Sequence, residues 1–296
     1  MAKLGTTCLM SCSTVANLQS WVGPILQILA NAGWIRTSDT GQTELADMPA
    51  AAAASTVCGY QVWRMNDSLQ STAPVFVKFE FGSGSAVGNH SLWVTVGTGS
   101  DGAGNITGIL ISQTRIYNNS ASASPNKAKE FYGSGDSSRL VFVARSNVNE
   151  TAFYRMSLSI ERTHGPNGSD TADGVMFFAE YGPTRALGTA IIFFVVAVFS
   201  GSQPATSTNI GAYVPSGTTW AWDGNIVGVC PVSFFKGGPT NPSKNLMVYL
   251  DLDMSAQVPV TIPCYGINLN WMPLGSSIIT TVASENASSS LLIRWD

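Results

Sequence analysis

Tyr60-Gln-Val-Trp-Arg-Met, Ala73-Pro-Val-Phe-Val-Lys-Phe-Glu-Phe-Gly82, Ser91-Leu-Trp-Val-Thr-Val-Gly97 and Ile109-Leu-Ile-Ser-Gln-Thr-Arg-Ile-Tyr117 follow one another in a single stretch of the chain. Val75, Val77, Phe79 and Phe81 fall on one face of a strand, with Phe76, Lys78 and Glu80 on the other. Leu92, Val94 and Val96 repeat the pattern, with Trp93 and Thr95 opposite. Gly- and Ser-rich segments separate the runs, as turns between strands require.

The same period of two recurs further on. Tyr154, Met156, Leu158 and Ile160 alternate with Arg155, Ser157, Ser159 and Glu161, which predicts a strand with one wet face. Asp173-Gly174 reads as a turn before Val175-Met-Phe-Phe-Ala. The run 190–199 is the most apolar stretch; it is too short to span a bilayer and predicts a strand buried on both faces. Later strands are expected at Ile226–Val232, Leu246–Leu252, Val258–Ile262, Ile278–Val282 and Leu291–Trp295, and loops at Asn118–Gly135 and His164–Asp173. Roughly ten to fourteen short strands with almost no helix predict an all-β fold, a jelly-roll-like β-sandwich.

One helix interrupts this reading. Val15, Leu18, Val22, Ile25 and Leu29 recur at helical spacing over residues 14–32, with Trp21 alongside. Ser13 or Thr14 can cap it, Asn31-Ala-Gly33 can stop it, and Pro24 is expected to kink or split it. Its apolar stripe needs a cover, either the chain's own β domain or a neighbouring subunit. In the second case Val15, Leu18, Trp21, Val22, Ile25 and Leu29 are the assembly contacts. The expected organisation is an N-terminal helix and arm over 1–58 and a β-sandwich over 59–296, with a subdivision near 200. The five alanines after Pro49 are compatible with a short helix or an extended arm.

Composition narrows the function. Charged residues make up 11%, against about 25% in ordinary globular chains. A neutral polar surface is poorly defended against association, which points to a standing assembly. The net charge of −3 and the scattered Lys and Arg argue against nucleic acid as a partner. The five cysteines contain no C-x-x-C pair and read as small buried apolar side chains. The first residues lack an apolar core of signal-peptide length, so Sec export is not expected.

Candidate chemistry is sparse. Gly97-Thr-Gly-Ser-Asp-Gly102 matches G-x-G-x-x-G after a strand, but Ala103-Gly-Asn-Ile-Thr-Gly108 cannot sustain the helix that a dinucleotide site needs, so it reads as a hairpin loop. Asp101 and Asn105 are too few oxygen ligands for calcium. His90 and His164 are expected as exposed turn residues. Asp251 and Asp253 could act as a carboxylate pair, and a polar strand face explains them as well. Trp220 and Trp222, with Tyr132, are the candidates for stacking on a sugar ring. Neither G-x-S-x-G nor H-E-x-x-H occurs, so no catalytic residue, metal or cofactor is expected.

Over roughly residues 59–181 the chain resembles virion structural proteins of tailed bacteriophages. The segments that carry the likeness are Gly59-Tyr-Gln-Val-Trp-Arg-Met-Asn-Asp-Ser and Leu92-Trp-Val-Thr-Val-Gly-Thr-Gly-Ser-Asp-Gly-Ala-Gly-Asn, with Met156-Ser-Leu-Ser-Ile-Glu-Arg-Thr. The resemblance implies a non-enzymatic part of a tail, baseplate or neck, made in the host cytoplasm and residing in the virion. Its partners would be copies of itself and other virion proteins, with no membrane. A receptor- or glycan-binding module of a tail fibre and a capsid-decorating protein are the other roles it admits. No functional residue is carried across.

Overall fold

The helix expected around Trp21 is one element, α1 (Val15–Asn31), capped by Thr14, whose Oγ1 accepts the Asn17 N–H at 3.1 Å. Pro24 does not split it. The residue before it is Gly23, which has no Cβ to meet the proline ring. Buried residues on both sides, Leu18, Trp21 and Val22 before and Ile25, Ile28 and Leu29 after, hold the helix to the core. This is a computed structural model that describes residues 1–117, 128–146, 155–165, 168–182, 191–198, 219–222, 225–234, 241–250, 259–264, 267–277 and 289–295.

The first strand, β1 (Ala2–Leu9), precedes the helix. Then come β2 (Ile35–Arg36), β3 (Val57–Arg64), β4 (Phe76–Ser83), β5 (His90–Ser100) and β6 (Ile106–Tyr117), a five-stranded antiparallel meander in chain order. A second meander runs through β7 (Ala128–Asp136), β8 (Arg139–Ser146), β9 (Arg155–His164), β10 (Asp170–Gly182) and β11 (Ile191–Val198). Strand β1 pairs with β7 and completes it as a six-stranded sheet, the first sheet below.

The last sheet contains β12 (Thr219–Trp222), β13 (Asn225–Phe234), β14 (Asn241–Leu250), β15 (Val260–Cys264), β16 (Ile267–Ser277) and β17 (Ser289–Arg294). Its order is β12-β13-β14-β17-β16-β15. Strands β15, β16 and β17 are successive neighbours and β14 lies beside β17, which is Greek-key order. The expected all-β class with one helix is what the chain adopts. The pairings are two meanders and one Greek key; they do not by themselves give jelly-roll connectivity.

Several local expectations change. The loop expected over Asn118–Gly135 ends by Ala128, where β7 begins, and 118–127 lie outside the described residues. The loop expected over His164–Asp173 contracts to a turn closed by Gly165 N–H to Ser169 O at 2.8 Å. Asp173-Gly174 is therefore not the hairpin turn; it sits inside β10, where the register with β9 shifts. After Pro49 the alanines form neither a helix nor an outstretched arm: Ala51 N–H bonds Cys12 O at 3.0 Å, and Ala53 O accepts from Ser83 Oγ at 2.6 Å. Strand β16 falls where no strand is expected, while Ile278–Val282 lies outside the described residues.

Burial makes the first sheet the middle layer. Leu140, Phe142, Ala144, Met156, Leu158, Ile160, Val175, Phe177 and Ala179 on one face belong to the core cluster with α1 and with Val77, Phe79, Phe81, Leu92, Val94 and Val96 of the five-stranded sheet. On the opposite face Val141, Val143, Ser157, Ser159, Glu161, Met176 and Phe178 are buried as well. The expected wet face of β9 is thus a covered one. It is polar, but β14 and β17 of the last sheet pack onto β8 and β9 from that side.

Candidate functional site

The chemistry-bearing side chains of the described chain gather where β14 crosses the polar face of the first sheet. Glu161 is wholly buried on β9, and each of its oxygens is taken. Oε1 accepts the Ser243 hydroxyl; Oε2 accepts the Lys244 main-chain N–H at 2.8 Å and lies 3.0 Å from His164 Nε2. His164, three residues on at the end of β9, has its Nδ1 at 3.1 Å from Asp170 Oδ1, off the axis of a hydrogen bond and so an ionic contact. Lys244 Nζ reaches the same Asp170 oxygen at 2.7 Å. Beside them Arg139 is paired in register with Glu161, holds Asp136 through Nε at 2.6 Å, and lies 3.4 Å from Lys244 O through Nη1.

Burial alone would lower the His164 pKa, but the Asp170 and Glu161 carboxylates outweigh it and hold the imidazole above its ordinary value. Burial pulls Asp170 upward, yet His164, Lys244 and Ser138 together hold its carboxyl well below the usual range. By residue type Ser243, His164, Glu161, Asp170 and Lys244 include all that a hydrolytic site needs. Their arrangement is different. Ser243 Oγ donates to the Glu161 carboxylate, and the imidazole bonds the other oxygen of that carboxylate rather than the hydroxyl. The Ser243 residue is 1% exposed and the His164 side chain 1%, which leaves a substrate no approach. The cluster ties β9 and β10 to β14. A second tie, Arg162 to Asp67 with Nη1 on Ala73 O at 2.9 Å, joins β9 to the segment before β4.

His90 is buried too, in the apolar layer. Its Nδ1 is 3.2 Å from Met10 O, so that nitrogen carries the proton, and its ring meets Trp21 edge-on at 5.6 Å. Burial pushes its pKa down to about 3, with the Met10 carbonyl acting the other way. Both histidines therefore depart from the expected exposed turns. Each ends or begins a strand, as a turn residue would, but another element covers it.

The remaining candidates are scattered. Leu18, Trp21, Val22, Ile25 and Leu29 are covered by the chain's own strands, while Val15 is 41% exposed. The expected hairpin loop is shorter than the glycine-rich run, since Gly97, Gly99 and Ser100 pair with β6 within β5 and only 101–105 connect the strands; Gly104 has φ +85° and lies against the Tyr60 ring. Asp101 accepts Ala103 N–H at 2.8 Å and Asn105 Nδ2 at 2.7 Å, so the loop itself occupies the carboxylate. Tyr132 is flanked by Trp295 at 5.7 Å and by the Arg145 guanidinium at 5.4 Å. Trp220 and Trp222 stand at alternate positions of β12, opposite Val227 and Asn225, in a different sheet from Tyr132. Asp251 and Asp253 lie outside the described residues.

Cys8, Cys12 and Cys58 are buried free thiols, with burial pushing Cys8 and Cys12 up to about 12. An open groove of about 550 Å3 lies between α1 and β2–β3, with Pro24, Leu26, Arg36, Glu44 and Trp63 among its walls. Arg36 there pairs with Glu44 at 2.6 Å, so its charge is already matched. Among the described residues no group of His, Cys, Asp and Glu is placed to hold a metal, and no helix is long and apolar enough to cross a membrane.

Glu161, Asp170, Ser243 and Lys244 escape sequence reading because no fixed spacing links β9 to a strand some eighty residues later. The available signal is Glu161 and His164 three apart at a strand end. Comparison of the sequence with protein-family models, and of the chain with curated proteins and solved structures, finds no match.

Proposed function

We propose that this chain is a non-enzymatic structural component of a tailed-phage particle, in the tail, baseplate or neck, assembled through protein–protein contacts. The observation that carries the reading is where its charges sit. Arg162 with Asp67, Glu161 with Ser243 and the Lys244 N–H, and Asp170 with Lys244 tie layer to layer inside the molecule. The end strand β1, by contrast, exposes Gly5, Thr6 and Thr7 with Lys3 as its one charge. A chain that buries several of its few charges and leaves a nearly neutral end strand outside is suited to permanent neighbours. The resemblance over residues 59–181 supplies the kind of particle.

The test is recovery of a tagged chain in purified particles from infected cells. A fixed copy number per particle is expected; a chain left behind as free monomer would refute the reading. The glycan-binding role keeps one supporting observation, the placing of Trp220 and Trp222 on β12, an end strand of its sheet. Binding on a glycan array that Trp222→Ala abolishes would establish it.

A further inference from the structure

Strand β1 is eight residues long, free of proline, and pairs with β7 in unbroken register from Ala2–Gly135 to Leu9–Ala128. Its far side is the edge of the first sheet. Which main-chain groups face that edge follows from Leu9. Its N–H donates to Ser20 Oγ at 3.0 Å and its C=O accepts Ser11 N–H at 2.9 Å, so neither points to β7. In an antiparallel ladder the residues that face away from the partner alternate. With the register unbroken, Thr7, Gly5 and Lys3 present their N–H and C=O groups outward in the same way. All three are exposed, and among the described residues nothing bonds these groups. Helix α1 closes the edge only at Leu9.

Monomeric proteins blunt such an edge with bulges, prolines or several charges; β1 has one lysine. We propose that β1 is the contact through which two copies of this chain pair, antiparallel and two-fold symmetric about Gly5, joining their first sheets into one. This deepens the assembly reading and rests on it. In that register Gly5 faces Gly5 of the second copy, and Lys3 faces Thr7. Three such pairs exchange about six hydrogen bonds, two from each pair.

The pattern is self-complementary in two further respects. Each Lys3 meets a neutral threonine rather than its own copy, which avoids like charge directly across the pair. Glycine at the axis keeps side chains out of the place where the two strands meet themselves. Leu4 and Thr6 then fall in the closer, non-hydrogen-bonded pairs, where the threonine methyl covers the leucine. An unrelated extended peptide would satisfy the same groups but would not require this symmetry of charge and size. Five paired residues a side cover less than the ~1,200 Å² of a standing complex, so the pairing should depend on concentration.

Light scattering over a dilution series, read together with amide hydrogen exchange, tests it on the full chain. The expected result is a monomer–dimer equilibrium in which the Gly5 and Thr7 amides exchange at least tenfold more slowly at high concentration. Thr7→Pro removes one outward N–H without removing a bond to β7, and it should leave a monomer that melts like the dilute, monomeric wild type. Should that variant fail to fold, Gly5→Lys replaces it: an added Cβ makes only an ordinary contact with the Trp295 ring at 3.6 Å, while two ammonium groups meet on the axis. A wild-type chain that stays monomeric to its solubility limit overturns the pairing. An oligomer that survives both substitutions, or whose Gly5 and Thr7 amides exchange freely, overturns it while leaving assembly by another surface in place.

Discussion

The two layers on either side of the first sheet are filled by opposite means. Between that sheet, α1 and the five-stranded sheet the filling is apolar apart from the Arg162–Asp67 pair; Trp21, Phe79, Phe81, Phe142 and Phe177 are all wholly buried there. His90, which lies in it, is kept neutral. Between the first and last sheets the filling includes Glu161, His164, Asp170, Ser243 and Lys244, and His164 is held toward its charged form. Apolar contact is non-directional, so the first layer sets volume more than register. Hydrogen-bonded charge is directional, so the second layer fixes how β14 sits on β9.

The sharpest way to break this contrast is to remove one group from each side. Glu161→Ala strands His164, Ser243 and Lys244 and should cost about 3–5 kcal/mol, as breaking a buried pair does. Trp21→Ala should cost about as much, through cavity and lost burial. What separates them is coupling. Combined with His164→Ala, the Glu161 change should deviate from additivity by about 0.5–3 kcal/mol, while the Trp21 change should add within about 0.5 kcal/mol. Equal coupling in both urea-denaturation cycles would mean the two layers are not separate.

The histidines then give pH dependence of opposite sign. His90 has its folded pKa depressed to about 3 from 6.5, so the unfolded chain takes the proton first. Its contribution is complete above pH 6.5 and declines by about 1.4 kcal/mol per pH unit as pH falls toward 3. His90→Gln, which keeps a donor for Met10 O, should flatten that acid limb. His164 is raised, so its contribution is complete below its unfolded pKa and is lost as pH rises through the folded one. The stability gap between wild type and His164→Gln should therefore narrow toward alkaline pH. A gap that widens would reverse the assignment of charge to this layer.

How much of this was legible depends on the layer. The apolar layer is written in local periods: Val75 to Phe81, Leu92 to Val96 and Leu18 to Leu29 each show the face they bury. On β9 the period was equally readable, since Met156, Leu158 and Ile160 do face the core. The fate of Ser157, Ser159 and Glu161 was not, because polar alternation looks the same whether water or another sheet covers it. Strand β1 was missed for a related reason. Ala-Lys-Leu-Gly-Thr-Thr-Cys-Leu alternates weakly, and its pairing with β7 is set more than a hundred residues away. The candidate site shares that defect, since Glu161 and Ser243 meet only through the packing of two sheets.

The smallest effect should come from a pair that belongs to neither layer. Arg36 and Glu44 approach to 2.6 Å across the rim of the groove beside α1, but the Glu44 side chain is 62% exposed. Water screens such a pair and both side chains lose freedom in forming it, so Glu44→Gln should change stability by no more than about 1 kcal/mol. Arg36 also keeps Gln42 Oε1 at 3.3 Å when the carboxylate is gone, which leaves no buried charge behind. The contrast with Glu161 is then one of burial rather than of residue type, because a glutamate charge is removed at both sites. A thermal melt that shows Glu44→Gln costing as much as Glu161→Ala would mean that charge holds the outer rim of the fold as firmly as its interior, and the division between an apolar and an ionic layer would lose its force.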